Sequence, residues 1–145
     1  MTSFENEIVI RRPPEDVFVL LADLEKVPRW NPAIERTERT TPGDVGVGST
    51  YRQLRSAPTR SEETFRIVRF DPPERLALDG QIGSFGAHVD YVLERTPGGT
   101  RLTNRVSLEP PTVLSRVVVP LAVSQISAAV ASNLDRLRRI MEEEV

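Results

Sequence analysis

The chain has 145 residues, 39% of them apolar and 28% charged, an ordinary soluble composition for one domain with one core. Its 19 basic residues against 21 acidic ones leave a net charge of -2, which withholds the broad positive surface that nucleic acid requires. There is no cysteine and one histidine, so disulfides, a thiolate nucleophile and a Cys-based zinc site are excluded, and neither metal nor cofactor is expected.

The opening residues, Met1 to Glu7, carry neither a basic stretch nor an apolar one, so no secretory leader is read and a cytoplasmic location is expected. Lys26 is the only lysine, an arginine bias that points to a GC-rich bacterial genome. Phe4, Asn6, Ile8 and Ile10 alternate with Glu5, Glu7 and Arg11, apart from Val9, which predicts a half-buried first strand. Pro13-Pro14-Glu15-Asp16 then reads as a helix start, proline being tolerated in the first turn and carboxylates favoured by the dipole. Val17, Leu20, Leu21 and Leu24 follow at helical spacing, with an end near Asp23 or a second short helix stopping before Pro28.

Pro32 biases Asn31 to an extended conformation, so a new strand is expected from Ile34. Turn signals then recur at Pro42-Gly43-Asp44, Ala57-Pro58, Asp71-Pro72-Pro73, Asp79-Gly80 and Pro97-Gly98-Gly99. Spacing this short permits antiparallel hairpins and leaves no room for parallel crossovers. The cleanest alternation puts Phe85, Ala87, Val89, Tyr91 and Leu93 on one face. Its partner strand puts Leu102, Asn104, Val106 and Leu108 together, so Asn104 lands among apolar residues. Between Thr64 and Phe70 the phases conflict, which predicts a bulge or burial on both faces and leaves the direction of Arg66 open.

After Pro110-Pro111 the chain turns helical, with Pro120 either starting the main helix or kinking it. From there to Glu144 is about 25 residues, roughly 37 Å at 1.5 Å per residue, enough to cross a small domain. Ile126, Val130, Asn133, Leu137 and Ile140 form its inward stripe, and small residues from Ala122 to Ser132 either seat it close to a sheet or leave space beside it. Thr112 to Ala131 carries Arg116, Pro120, Ser124, Gln125 and Ser127, too polar for a lipid-spanning segment, so no membrane insertion is expected.

These pieces resemble the START-like (SRPBCC) helix-grip superfamily, specifically the polyketide cyclase/dehydrase and lipid-transport family. The resemblance rests on Ile8-Val9-Ile10 followed by Pro13 to Phe18, on Asp23 to Pro32, and on Val68 to Leu76. Tyr91-Val92-Leu93 before Gly98 to Thr103, and the long last helix, complete it. It covers nearly the whole chain, 1–145, as a single domain. The implied fold is α+β, a curved antiparallel sheet of about seven strands wrapped around the C-terminal helix, with two short helices after the first strand. The implied function is binding of a lipid, polyketide or aromatic molecule between sheet and helix. A monomer or homodimer is expected.

The chemistry-bearing residues are few. His88 and Asp90 share a strand face opposite the apolar set, the placement of a solvated pair rather than a catalytic dyad. Gly46-Val47-Gly48-Ser49-Thr50 lacks the lysine of a phosphate loop and leads into a strand, so it is a turn. The candidate ligand-binding residues are polar groups set among apolar ones, which need a partner that a ligand can supply. They are Asn104, Tyr91, Asn133, Tyr51 and Arg66, with Phe85, Val89, Ile126 and Val130 as the apolar walls. Trp30 either forms an aromatic lip over a cavity mouth or packs the helix-to-strand corner. No convincing general base is placed inside the barrel, so any cyclase or dehydratase activity would proceed without metal or covalent nucleophile. The alternative is a protein-interaction module with a filled interior. The two separate on volume: an enclosed space of at least about 300 Å³ favours a ligand.

Overall fold

A computed structural model of the chain describes residues 2–112 and 118–143. The elements run β1 (Thr2–Ile10), α1 (Pro14–Ala22), a 3₁₀ turn (Leu24–Arg29), β2 (Ile34–Arg39), β3 (Thr50–Arg55) and β4 (Ser61–Asp71). They continue with β5 (Arg75–Ile82), β6 (Phe85–Thr96), β7 (Gly99–Glu109) and α2 (Val118–Glu143). The seven strands form one antiparallel sheet in the order β1-β7-β6-β5-β4-β3-β2. From β2 to β7 the chain is a meander, each short turn returning it beside its predecessor. β1 then closes onto β7 with Asn6 opposite Asn104 and Ile8 opposite Leu102.

The sheet curves because two of its pairings slip. The register shifts between Ile34 and Arg36 against β3, and between Ile67 and Arg69 against β5. Each extra residue bends and twists its strand locally. The second slip resolves the conflicting phases of β4: Phe65 and Ile67 face inward before it, and Phe70 recovers the inward phase after it. Asp79-Gly80, expected as a turn, lies inside β5, and the reversal falls at Gly83-Ser84. Gly80 serves packing instead, since a Cβ there would lie 2.6 Å from the Thr64 carbonyl oxygen and closer still to Phe65 Cβ.

The helices close the concave side. Pro13 caps α1 with its carbonyl, which accepts the N–H groups of Asp16 (3.0 Å) and Val17 (3.1 Å). The 3₁₀ turn runs through Pro28 to Arg29 rather than stopping short of it. Its ladder skips the proline, which has no N–H: Lys26 donates to the Asp23 carbonyl at 2.9 Å and Trp30 to that of Val27 at 3.0 Å. In α2 the stripe of Ile126, Val130, Asn133, Leu137 and Ile140 is on the inward side, but the fully covered residues are Val123, Leu134, Leu137 and Met141. Pro120 sits in the first turn of the described helix. By length and composition alone α2 is apolar enough to cross a bilayer; in the fold its C-terminal half joins Ile10, Val17, Leu21 and Leu102 in the main core.

That C-terminal half is clamped. Arg12 Nη1 donates to the Met141 carbonyl at 2.7 Å, a cation on the negative end of the helix. The Arg11 N–H donates to Glu142 Oε2 at 2.9 Å, and Arg138 Nη1 donates to Glu142 Oε1 at 2.9 Å. The Glu142 side chain is therefore largely covered. α2 thus rests on the fold through the clamp at its C-terminus and, nearer its start, through Val123 packed with Phe85, Val106 and Leu108, with small residues between the two.

Candidate ligand cavity

Between the middle of α2 and the concave face of the sheet lies a cavity of about 650 Å³. Its floor is the inward face of β6 and β7, where period-two alternation delivers Phe85, Ala87, Val89, Tyr91, Asn104 and Val106 side by side. Its roof is Ala122, Ile126, Ala129, Val130 and Asn133 of α2. Alanines at two of these roof positions explain the space: a larger side chain there would reach toward the floor. The rim is built where three loops meet, Asn31 to Ala33, Ala57 to Thr59 and Gly83 to Ser84. Pro32, Ala57, Pro58, Thr59 and Ser84 are all exposed, which makes this the open side.

Eight of the predicted residues, Trp30, Phe85, Val89, Tyr91, Asn104, Ile126, Val130 and Asn133, line this cavity. Tyr51 and Arg66 do not. Tyr51 is buried one layer behind, its ring stacked on Phe65 with centroids 5.0 Å apart and planes 8° from parallel, and it is Phe65 that reaches the cavity wall. Burial pushes the Tyr51 hydroxyl pKa up. Arg66 is exposed on the outer face, because Phe65 and Ile67 take the inward phase on either side of it. Trp30 packs in the main core and borders the cavity.

Several of the lining groups lack partners. Asn104 is 0% exposed, yet neither its amide nitrogen nor its amide oxygen is hydrogen-bonded, and the same is true of the buried Trp30 Nε1. Such orphans are rare, since an amide buried without a partner costs about 1–3 kcal/mol in protein mutational data. Tyr91 adds a hydroxyl whose pKa burial drives upward, so it stays protonated and neutral through the physiological range.

One group in the site was not anticipated. Glu63 on β4 is only 1% exposed. Its carboxylate accepts from Gln53 Nε2 (2.8 Å), Arg55 Nε (2.7 Å), the Gly83 N–H (2.7 Å) and Ser61 Oγ (3.2 Å). Gln53, Arg55 and Gly83 line the cavity near its rim, so Glu63 fixes a polar edge there without itself facing the space. The signal was available in the hairpin: Ala57-Pro58 sets a turn, and the resulting register puts Gln53 opposite Glu63 and Arg55 opposite Ser61.

The histidine stands apart on the outer face. His88 Nδ1 pairs with Asp79 in a close contact, and Nε2 lies 3.1 Å from Asp90 Oδ2. Arg75 Nη2 donates to the other Asp90 oxygen at 3.0 Å. The hydrogen bond to Asp79, with help from Asp90, raises the His88 pKa. Among the described residues no cluster of histidine and carboxylate side chains is suited to hold a metal ion.

A curved seven-stranded sheet gripping a long C-terminal helix over a rim-opened space defines the helix-grip class. The chain matches the family described as polyketide cyclase / dehydrase and lipid transport over residues 1–142, and it belongs to that family. It is 31% identical over 107 residues to an uncharacterized protein of Mycobacterium tuberculosis, a match covering 69% of this chain. The match spans 61% of the length of that relative and of its Mycobacterium bovis counterpart. Among solved structures it is similar to a Thermus thermophilus protein with TM-score 0.81 and 20% identity over 95% of each chain. It is also similar to the di-domain ARO/CYC StfQ of the steffimycin biosynthetic pathway. There the TM-score is 0.82 and the identity 14%, over 97% of this chain and 51% of that one.

Proposed function

We propose that this protein binds one small, mainly apolar molecule of the lipid, polyketide or aromatic kind between its sheet and α2. The observation that carries the proposal is the cavity of about 650 Å³ with unpartnered Asn104 and Trp30 groups along it. That volume falls within the range of pockets that bury drug-sized ligands and exceeds the roughly 300 Å³ at its lower limit. It disfavours the interaction-module alternative, whose premise is a filled interior.

The lining chemistry favours holding over transforming. Among the described lining residues the ionisable side chains are Arg55 and Tyr91, and Tyr91 is held neutral by burial. A neutral hydroxyl and an amide can orient a carbonyl or hydrogen-bond a developing enolate, but neither is a base ready to take a proton at neutral pH. Cyclisation within this space would therefore rest on folding a flexible chain so that its reacting carbons meet.

The test is uptake of a neutral environment-sensitive fluorophore, 6-propionyl-2-dimethylaminonaphthalene, by wild type and by Ala87→Phe. Ala87 faces the cavity from β6, so the added ring takes up the space a guest needs. Saturable blue-shifted emission with wild type, lost in A87F while the circular dichroism is unchanged, is the expected result. Equal emission with both proteins would place the probe elsewhere and remove the proposal.

A further inference from the structure

The polar groups around the cavity differ in charge state, and that difference bears on what the cavity accepts. Arg55 is the single formally charged side chain among the described residues lining it. Its Nε is bound at 2.7 Å to Glu63, which is almost wholly excluded from water. The rim cation is thus neutralised from behind by the protein itself. The Asn104 amide, a donor and an acceptor, and Trp30 Nε1, a donor next to the Asn31–Ala33 rim, are uncharged and unpartnered. Arg55 and the Asn104 amide are separated along the sheet. Asn104 is on β7 and Arg55 on β3, four strand positions apart, roughly 19 Å along the curved surface at about 4.8 Å per strand.

Resting on the reading that this space takes a ligand, we propose that the ligand is an uncharged, oxygen-bearing molecule, a ketone, phenol or alcohol on an apolar skeleton, and that carboxylates are rejected. An anion entering this space loses its hydration and meets no net positive charge in return. Neutral hydrogen bonds recover only part of that loss. A carbonyl or hydroxyl oxygen, in contrast, gives Trp30 or Asn104 the partner it lacks and carries no ionic desolvation cost. Glu63 is accordingly a specificity-determining residue that acts through Arg55: without its charge the rim becomes a cation able to draw a carboxylate in.

Isothermal titration with 2-acetylnaphthalene and 2-naphthoate, matched in skeleton and differing in charge, tests the proposal. Wild type at pH 7 should bind the ketone at least about tenfold more tightly, a margin of about 1.4 kcal/mol. Glu63→Gln should narrow or reverse that preference by at least about tenfold, naphthoate gaining most. Should E63Q fail to fold, wild type still decides: naphthoate affinity should climb as pH falls toward the ordinary carboxylate range, where the guest becomes neutral. Naphthoate binding wild type as tightly as the ketone at pH 7 would overturn the selectivity and leave the ligand cavity standing. Binding of neither probe, together with failure of the fluorophore test, would remove both.

Discussion

Asn104→Leu separates what this residue does for the fold from what it does for a ligand, because the two effects have opposite signs. Asn104 sits on β7 between Asn6 of β1 and Tyr91 of β6, 0% exposed, with both amide atoms unbonded. Leucine has similar size and no polar atoms to strand. Removing a buried amide without partners should recover most of its desolvation cost, so N104L should be more stable by about 1–2 kcal/mol. For a chain of this size that is a rise in Tm of roughly 3–6 °C, read by differential scanning calorimetry. Titration with 2-acetylnaphthalene should meanwhile show affinity lower by about threefold to tenfold, the equivalent of one neutral hydrogen bond. A fall in stability of about 1 kcal/mol or more, or unchanged affinity, would refute the reasoning. The first would mean that the amide is satisfied within the fold, the second that no guest uses it.

Gly80→Ala should cost about 2 kcal/mol or more, because the new Cβ meets backbone at 2.6 and 2.8 Å and the Phe65 Cβ closer still, none of which can swing aside. Urea unfolding measures it, and a loss under about 0.5 kcal/mol would show β4 and β5 to be free to separate there. His88 predicts a pH dependence with a defined sign. Its folded pKa is raised by Asp79 and Asp90, so its stabilisation is complete below the unfolded value of about 6.5 and is lost as pH rises through the elevated folded value. Asp90 acts at the other end. Burial opposes its ionisation, but bonds from Arg75 and His88 hold its pKa below the ordinary value, so its contribution is lost as pH falls through that depressed value. Tm should therefore decline as pH rises from the unfolded value of about 6.5 through the elevated folded value, and His88→Gln should flatten that decline. Because the His88 side chain is 44% exposed, the effect is screened and modest; a rise in Tm over that interval would contradict the geometry.

The architecture was legible wherever a periodicity was long and uninterrupted. Phe85 to Leu93 and Leu102 to Leu108 announced two strands and their inward faces, and through them most of the cavity floor. Legibility failed where a residue's role is set by a neighbour distant in sequence. Asp79-Gly80 has the composition of a turn, and only the approach of Phe65 from β4 explains why glycine is needed inside β5. Glu63, between Glu62 and Thr64, carries no local signal of burial. Its pairing with β3 is set by the local hairpin, but its burial also needs the Gly83 N–H closing over it from beyond β5, which is not local. The same limit applied to Arg66, whose direction hangs on a bulge at Val68 that alternation alone locates only to within a few residues. On α2 the stripe identified three of the cavity-lining residues, Ile126, Val130 and Asn133, whereas the covering of Leu134 and Met141 in the main core with Ile10, Val17 and Leu21 is a feature of the assembled fold.

A crystal structure of the protein grown with 2-acetylnaphthalene puts the most direct question to this account. The prediction is density for one guest between β6, β7 and α2, its carbonyl oxygen within about 2.7–3.2 Å of Trp30 Nε1 or the Asn104 amide. A cavity holding only ordered water, or closed by α2 settling onto the sheet while the ketone is absent or bound on the outer face, would contradict it.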